Sequence, residues 1–141
     1  MSYPDTIVFL RHAATVGNVV GSDERACLIP PNHAFPLTEH GRESARAIGQ
    51  ALQQNFPPFD CHFVSSYRRT RETLSLALPQ ASPIIEDARL DELHQGIWQT
   101  MTLSEITACY PEEIEWQAKE GRYHHRPLGG ENCPDVEMRI R

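Results

Sequence analysis

No apolar stretch near the start of this sequence is long enough to span a bilayer or to form the core of a secretion signal. Met1 to Asp5 is polar, and the run Ile7-Val8-Phe9-Leu10 is far too short for either purpose. A soluble, cytoplasmic protein with no membrane partner is the expectation. Cysteine is scarce, and Cys27, Cys61, Cys109 and Cys133 are scattered, with no C-x-x-C pair. A disulfide scaffold or a zinc knuckle would bring cysteines closer together and more regularly, so reduced thiols are expected. Positive charge is in deficit too, with 13 Lys and Arg against 19 Asp and Glu and a formal net charge of -6. Non-specific nucleic-acid binding needs a cationic footprint that displaces condensed counterions, so nucleic acid is not an expected partner. A small anionic substrate stays compatible, because a pocket can be locally positive on an acidic protein.

What is present is an ordinary globular composition, 40% hydrophobic and 23% charged, which argues against disorder and low-complexity architectures. The 141 residues suffice for one domain with a real core and are too few for two comfortable ones, so 1–141 reads as a single domain. Ile7 to Leu10 has the pattern of a strand buried on both faces and ends abruptly at Arg11-His12. From Gly21 to Pro36 the composition is loop-like, with Pro30, Pro31 and Pro36 resisting regular structure. Thr38 reads as the N-cap of a helix to about Gln54, with Ala45, Ile48 and Leu52 at helical spacing. A second strand is expected over Cys61–Val64, a helix over Arg68–Leu78, and a third strand around Ile84-Ile85. Thr102 and Glu105 form a capping box for a helix toward Tyr110; Pro111 starts another that Gly121 caps, and Pro134 opens one more. This alternation predicts an α/β fold, a mostly parallel sheet flanked by helices on both faces.

In such sheets ligands sit beyond the carboxyl ends of the strands. Arg11-His12 and Ser65-Ser66 both leave strands there, so the two polar clusters should converge. In the first, His12 follows directly on a rigid element. One ring nitrogen can be fixed by a carbonyl while the other serves as nucleophile or base. Arg11 offers a planar fork suited to phosphate oxygens, and Thr15 and Asn18 add neutral donors. A strand-end histidine capped by local hydrogen bonds, beside a surface arginine, is the alternative. In the second cluster Arg68, Arg69 and Arg71 gather at a helix start, where positive charge opposes the macrodipole unless an anion compensates. Arg69 and Thr73 share a face of that helix; a solvated start paired with Glu72 is the alternative. In a third cluster, Leu90 to Trp98, Glu92 is a candidate proton donor and Trp98 a core residue.

Together these residues resemble a known family. Arg11-His12 with Thr15 and Asn18 is similar to the R-H-G-x-(S/T)-x-x-N signature of the histidine phosphatase superfamily, the phosphoglycerate mutase-like enzymes. Pro36-Leu37-Thr38 with Gly41 resembles the family's P-L-T-x-x-G helix entry, and Ser65 with Arg69, Thr70 and Thr73 its S-x-x-x-R-(A/T)-x-x-T segment. Leu90, Glu92, Gly96 and Trp98 resemble its L-x-E-x-x-x-G-x-W stretch, and Gly129-Gly130-Glu131 its G-G-E-S element. The landmarks occur in family order along nearly the whole chain. The resemblance implies a phosphoglycerate mutase-like fold and a transient phosphohistidine on His12. Arg11 and Arg69 would clamp the phosphate, Thr15 and Asn18 would complete its cradle, and Glu92 would protonate the leaving oxygen and then activate water. It implies no metal or other cofactor, and a small phosphorylated substrate as partner; a homo-oligomer is compatible with it.

The chain also departs from the pattern. Ala13 replaces the glycine after the nucleophile, and Ala14 stands where the mutases carry Glu. Ala13 is a mild change, but Ala14 and a loop between Glu92 and Gly129 short of the mutases' substrate-binding features tilt the reading toward a phosphatase, with a phosphoglycerate mutase or an inactive phosphate-binding module as alternatives. The family's second catalytic histidine sits on a core strand after the G-G-E-S element, and the sequence stops at Arg141 before such a strand. A C-terminally incomplete family domain is therefore expected. His124 and His125 precede the element and read as a solvent-facing or substrate-rim loop.

Overall fold

The computed structural model describes residues 3–141. The described residues form six α-helices and a two-stranded parallel sheet. Helix α1 is Ser22–Ala26, α2 Glu39–Asn55, α3 Arg68–Ala77, α4 Leu103–Cys109, α5 Pro111–His124 and α6 Cys133–Ile140. Strand β1, His62–Val64, pairs with β2, Ile84–Glu86, in the register His62 opposite Ile84 and Val64 opposite Glu86. The parallel pairing with α3 as the crossover is the expected α/β arrangement.

Caps fall where their side chains predict them. The Thr38 hydroxyl accepts from the Gly41 amide at 3.0 Å and starts α2. Thr102 and Glu105 satisfy one another's backbone amides at the head of α4, a complete capping box. Asn132 caps α6 by accepting from the Asp135 amide at 3.0 Å. Gly121 does not simply end α5: at φ 73° it breaks the helix, and one further turn runs to His124.

Helix α2 turns a face of small residues, Gly41, Ala45 and Gly49, inward. A Cβ on Gly49 would lie 2.0 Å from the Ala77 carbonyl oxygen, and one on Gly41 would lie 2.1 Å from that of Ala14. Glycine at these two positions lets α2 press against α3 and against the segment after His12. That segment is pinned again by a bridge between Thr15 and Leu37, and by the Thr38 amide donating to Ala14 at 2.9 Å.

Two sequence expectations are corrected. Ile7 to Leu10 forms no strand: Ile7 is 64% and Phe9 92% exposed, and no described strand pairs with them. A strand exists only through a ladder partner, and an apolar run cannot supply that partner itself. Gly21 to Pro36 is not all loop, for it holds α1 and a 3-10 turn over Asn32–Ala34. It also buries the Phe35 ring, which packs on Gly17 and is among the most enclosed side chains of the fold. Burying such a ring contributes about 1.5–3 kcal/mol toward the larger cost of ordering this proline-rich stretch. The sheet's apolar side chains are unevenly covered, with Val64 buried and Phe63, Ile84 and Ile85 exposed. No helix among the described residues is long and apolar enough to cross a membrane.

Candidate active site

The two polar clusters do meet. The hydroxyl of Thr73 on α3 accepts from the Ala13 amide at 3.0 Å and donates to the Arg69 carbonyl at 2.7 Å. This ties the backbone beside His12 to the helix that carries Arg69. The side chains of Arg69 and Thr73 are both almost wholly buried, as their shared helix face requires.

His12 Nδ1 lies 2.8 Å from the Ala13 carbonyl oxygen. A carbonyl only accepts, so that bond places the proton on Nδ1 and leaves the Nε2 lone pair free. Burial, followed by the nearby Arg69 and Arg11 charges, holds the imidazole below the ordinary histidine value. The Ala13 bond and the Glu92 carboxylate pull the other way. Neutral imidazole is thus favoured, and neutral imidazole is the nucleophilic form.

Each of the three arginines at the start of α3 faces a carboxylate. Arg68 faces Glu72 at 3.8 Å, Arg71 faces Glu86 at 3.2 Å, and Arg69 faces Glu92 at 2.8 Å. Only Arg69 is buried. Its guanidinium donates to the Asn32 carbonyl at 2.8 Å and lies 4.6 Å from the centre of the Tyr67 ring. Its Nε is buried with no hydrogen-bond partner among the described residues, an unused donor of the kind an anion satisfies.

Glu92 approaches from the third cluster. Its Oε2 accepts from Asn32 Nδ2 at 3.1 Å and from Arg69, with the Arg25 guanidinium 3.6 Å away. Its backbone is fixed by its neighbour. The Asp91 carboxylate accepts from the Ser65 hydroxyl at 2.7 Å and from the Ser66 amide and hydroxyl at 2.8 Å. The Asp91 carbonyl accepts from Arg139 of α6 at 2.7 Å. Arg11 is exposed, close enough for its charge to act on His12. Thr15 is buried, with its amide and hydroxyl donating to Asn18 Oδ1 at 2.9 and 2.8 Å. Asn18 is thereby oriented with its amide NH2 unspent on Thr15, and Thr15 stands behind it.

Sequence reasoning missed Asn32 and Arg25. Both lie in the stretch read as irregular, and no periodicity or charge run marks either one. It also misplaced His125, which is 4% exposed rather than solvent-facing. His125 Nε2 lies 3.3 Å from the buried Glu113 carboxylate, with the Trp98 ring edge-on at 6.4 Å. Trp98 is only partly buried there and is not among the buried core side chains, which corrects its reading as a core residue. Among the described residues no group of three or more His, Cys, Asp or Glu is placed to hold a metal ion.

The family described as histidine phosphatase superfamily (branch 1) matches residues 7–141. The chain belongs to that superfamily. Over 111 residues it is 40% identical to 2,3-bisphosphoglycerate-dependent phosphoglycerate mutase 2 of Gloeobacter violaceus, covering 74% of this chain and 48% of that protein. It is 35% identical to glucosyl-3-phosphoglycerate phosphatase of Mycolicibacterium vanbaalenii, covering 94% of this chain and 55% of the relative. The solved α-ribazole phosphatase of Shigella flexneri superposes with a TM-score of 0.74 at 25% identity, covering 93% of this chain and 61% of that one. The chain thus spans about half to three-fifths of the length of these histidine phosphatase relatives.

Proposed function

We propose that this chain carries the phosphate-handling site of a metal-independent phosphatase that hydrolyses phosphate monoesters through a phosphohistidine on His12. The observation that carries the reading is the buried Arg69 guanidinium, with a spare donor, held beside an imidazole whose proton sits on the far nitrogen. The His12 Nε2 lone pair attacks phosphorus, the N–P bond forms and the ester O–P bond breaks. The leaving oxygen takes a proton from Glu92. Water then attacks the phosphohistidine and gives its proton to Glu92, which releases orthophosphate and restores neutral His12. Arg11 and Arg69 neutralise the charge on the equatorial oxygens as it spreads, and Asn18, set by Thr15, donates to one of them. With cationic side chains in that role, the chemistry calls for no metal.

Arg69 has two duties in this scheme. Before phosphate arrives it pairs with the Glu92 carboxylate; the phosphate dianion then draws the guanidinium to its own oxygens, and the released carboxylate takes up a proton from solvent, the one it hands to the leaving oxygen. Names among the relatives support the reading at family level, since phosphatases and a mutase both occur. The 40% identity to a mutase keeps a second reading, in which the phosphohistidine is passed to another acceptor instead of to water.

The test is phosphoenzyme trapping with a 32P-labelled phosphate monoester. The expected result is an acid-labile, alkali-stable label on the wild-type chain and none on His12→Ala. Failure of the wild type to label, or equal labelling of the variant, overturns the proposal. Orthophosphate release that requires a bisphosphate primer would favour the mutase reading.

A further inference from the structure

Glu92 has two carboxyl oxygens, and its proton can ride on either until a neighbour decides. Asn32 is that neighbour. It opens the 3-10 turn Asn32–Ala34, just behind Pro31, and is 9% exposed, with the enclosed Phe35 ring following the turn. Its carbonyl accepts from Arg69 Nη1 at 2.8 Å. Its side-chain Oδ1 accepts from Arg25 at 3.0 Å, with Arg69 Nη1 3.4 Å away, and its Nδ2 donates to Glu92 Oε2 at 3.1 Å.

The amide can face only one way. A guanidinium donates and never accepts, so the amide oxygen belongs toward the two arginines and the NH2 toward the carboxylate. A protonated carboxyl has one carbonyl oxygen, the better acceptor, and one hydroxyl oxygen. Donors gathered on Oε2 make it the carbonyl oxygen. No described residue donates to Oε1, which leaves that oxygen as the seat of the proton. The Arg69 bond to Oε2 is given up when phosphate arrives, and Arg25, at 3.6 Å, is beyond hydrogen-bond reach of it. Asn32 then makes the one hydrogen bond left on the carboxyl among the described residues.

We propose that Asn32 is a positioning residue for the acid: its amide keeps Glu92 Oε2 as an acceptor, so that the transferable proton rides on Oε1. In the acid step the Oε1–H bond breaks and the proton joins the ester oxygen as that oxygen parts from phosphorus. The electron pair stays behind on the carboxylate. This inference rests on the phosphatase reading of the same site. The two duties of Asn32 are separable. Its main hold on Arg69 is a backbone bond that a substitution leaves in place, whereas its hold on Glu92 is a side-chain bond that a substitution removes.

The rate of phosphoenzyme labelling of the full chain by two 32P-labelled esters, phenyl phosphate and 4-nitrophenyl phosphate, tests this. The esters present the same phosphate on the same ring. Phenoxide is a basic leaving group that needs a proton, whereas the nitro group stabilises the departing anion and dispenses with most of that help. Asn32→Ala should slow labelling by phenyl phosphate about tenfold more than labelling by the nitro ester. Asn32→Asp has the same shape and still accepts from Arg25, but offers Oε2 no N–H. It should show the same selectivity, and it decides the matter if the alanine variant does not fold. Glu92→Gln, with no acid proton to give, should show a larger selectivity, about a hundredfold. Equal slowing of both esters in Asn32→Asp, or wild-type rates with both, overturns this inference and leaves the phosphatase reading standing. No label on the wild-type chain, or no selectivity in Glu92→Gln, overturns the acid role of Glu92, and this inference falls with it.

Discussion

Arg69 is almost wholly enclosed in this molecule, at 3% exposed, while Phe9, three residues before the candidate nucleophile, is 92% exposed. Each inverts the usual place of its residue type, and for opposite reasons. The guanidinium is dry because partners far away in sequence, the Asn32 carbonyl and the Glu92 carboxylate, supply its acceptors, and the neighbouring Tyr67 ring lies against it. The phenyl ring is wet because a strand buries only what a neighbouring strand and a covering layer bury, and the described residues offer Ile7 to Leu10 neither. A buried charge is tolerated when each of its bonds is provided for, and an apolar run remains outside when its lateral partners are not. Among the described residues the candidate site is thus held by a few specific long-range bonds.

That contrast can be attacked at its strongest point first. Arg69→Gln should lower phosphoenzyme formation by about a hundredfold, as loss of a preorganised charge donor does, measured by 32P labelling at fixed time. A change of only a few fold would mean the buried guanidinium is structural. Next, Thr73→Val should strand the Ala13 amide and cost about 1–3 kcal/mol, read from the urea midpoint, with Thr73→Ser recovering most of it.

His12 gives a smaller, pH-dependent effect. Its folded-state pKa is lowered, so between that value and the ordinary unfolded one the unfolded chain binds more protons. The stability this contributes is present above the unfolded histidine value and is lost as pH falls through the folded one. His12→Gln should therefore flatten the dependence of Tm on pH below about 6.5, and the imidazole should titrate below that value by NMR. The least effect belongs to the exposed ring: Phe9→Lys should shift stability by no more than about 0.5 kcal/mol in denaturant while raising solubility. A loss beyond that would show Phe9 packed, and the contrast would collapse.

The same division explains what was legible in the sequence. Caps and helices were, because Thr38, the Thr102–Glu105 pair and Pro111 act on atoms within one turn of themselves. The convergence of His12 with Arg69 was expected from two strand ends, and the bond from Ala13 to Thr73 supplies it although the Ile7–Leu10 strand does not form. The Ile7–Leu10 strand was misjudged because pattern states a preference for burial and cannot supply the neighbour. Asn32, Arg25 and the enclosed His125 were missed because each owes its position to contacts across folded space. Asn32 and Glu92 are 60 residues apart. A loop's polar residues carry no periodic signature that would single out the one that becomes a hub.

Arg139 has one more consequence. From the last helix it grips the Asp91 carbonyl, one residue ahead of the proposed proton donor, and the Glu131 carboxylate beside it. Clipping α6 away would accordingly slacken the acid before it disturbed the clamp. On the proposed function, a shortened chain should keep its hold on orthophosphate while its turnover fades.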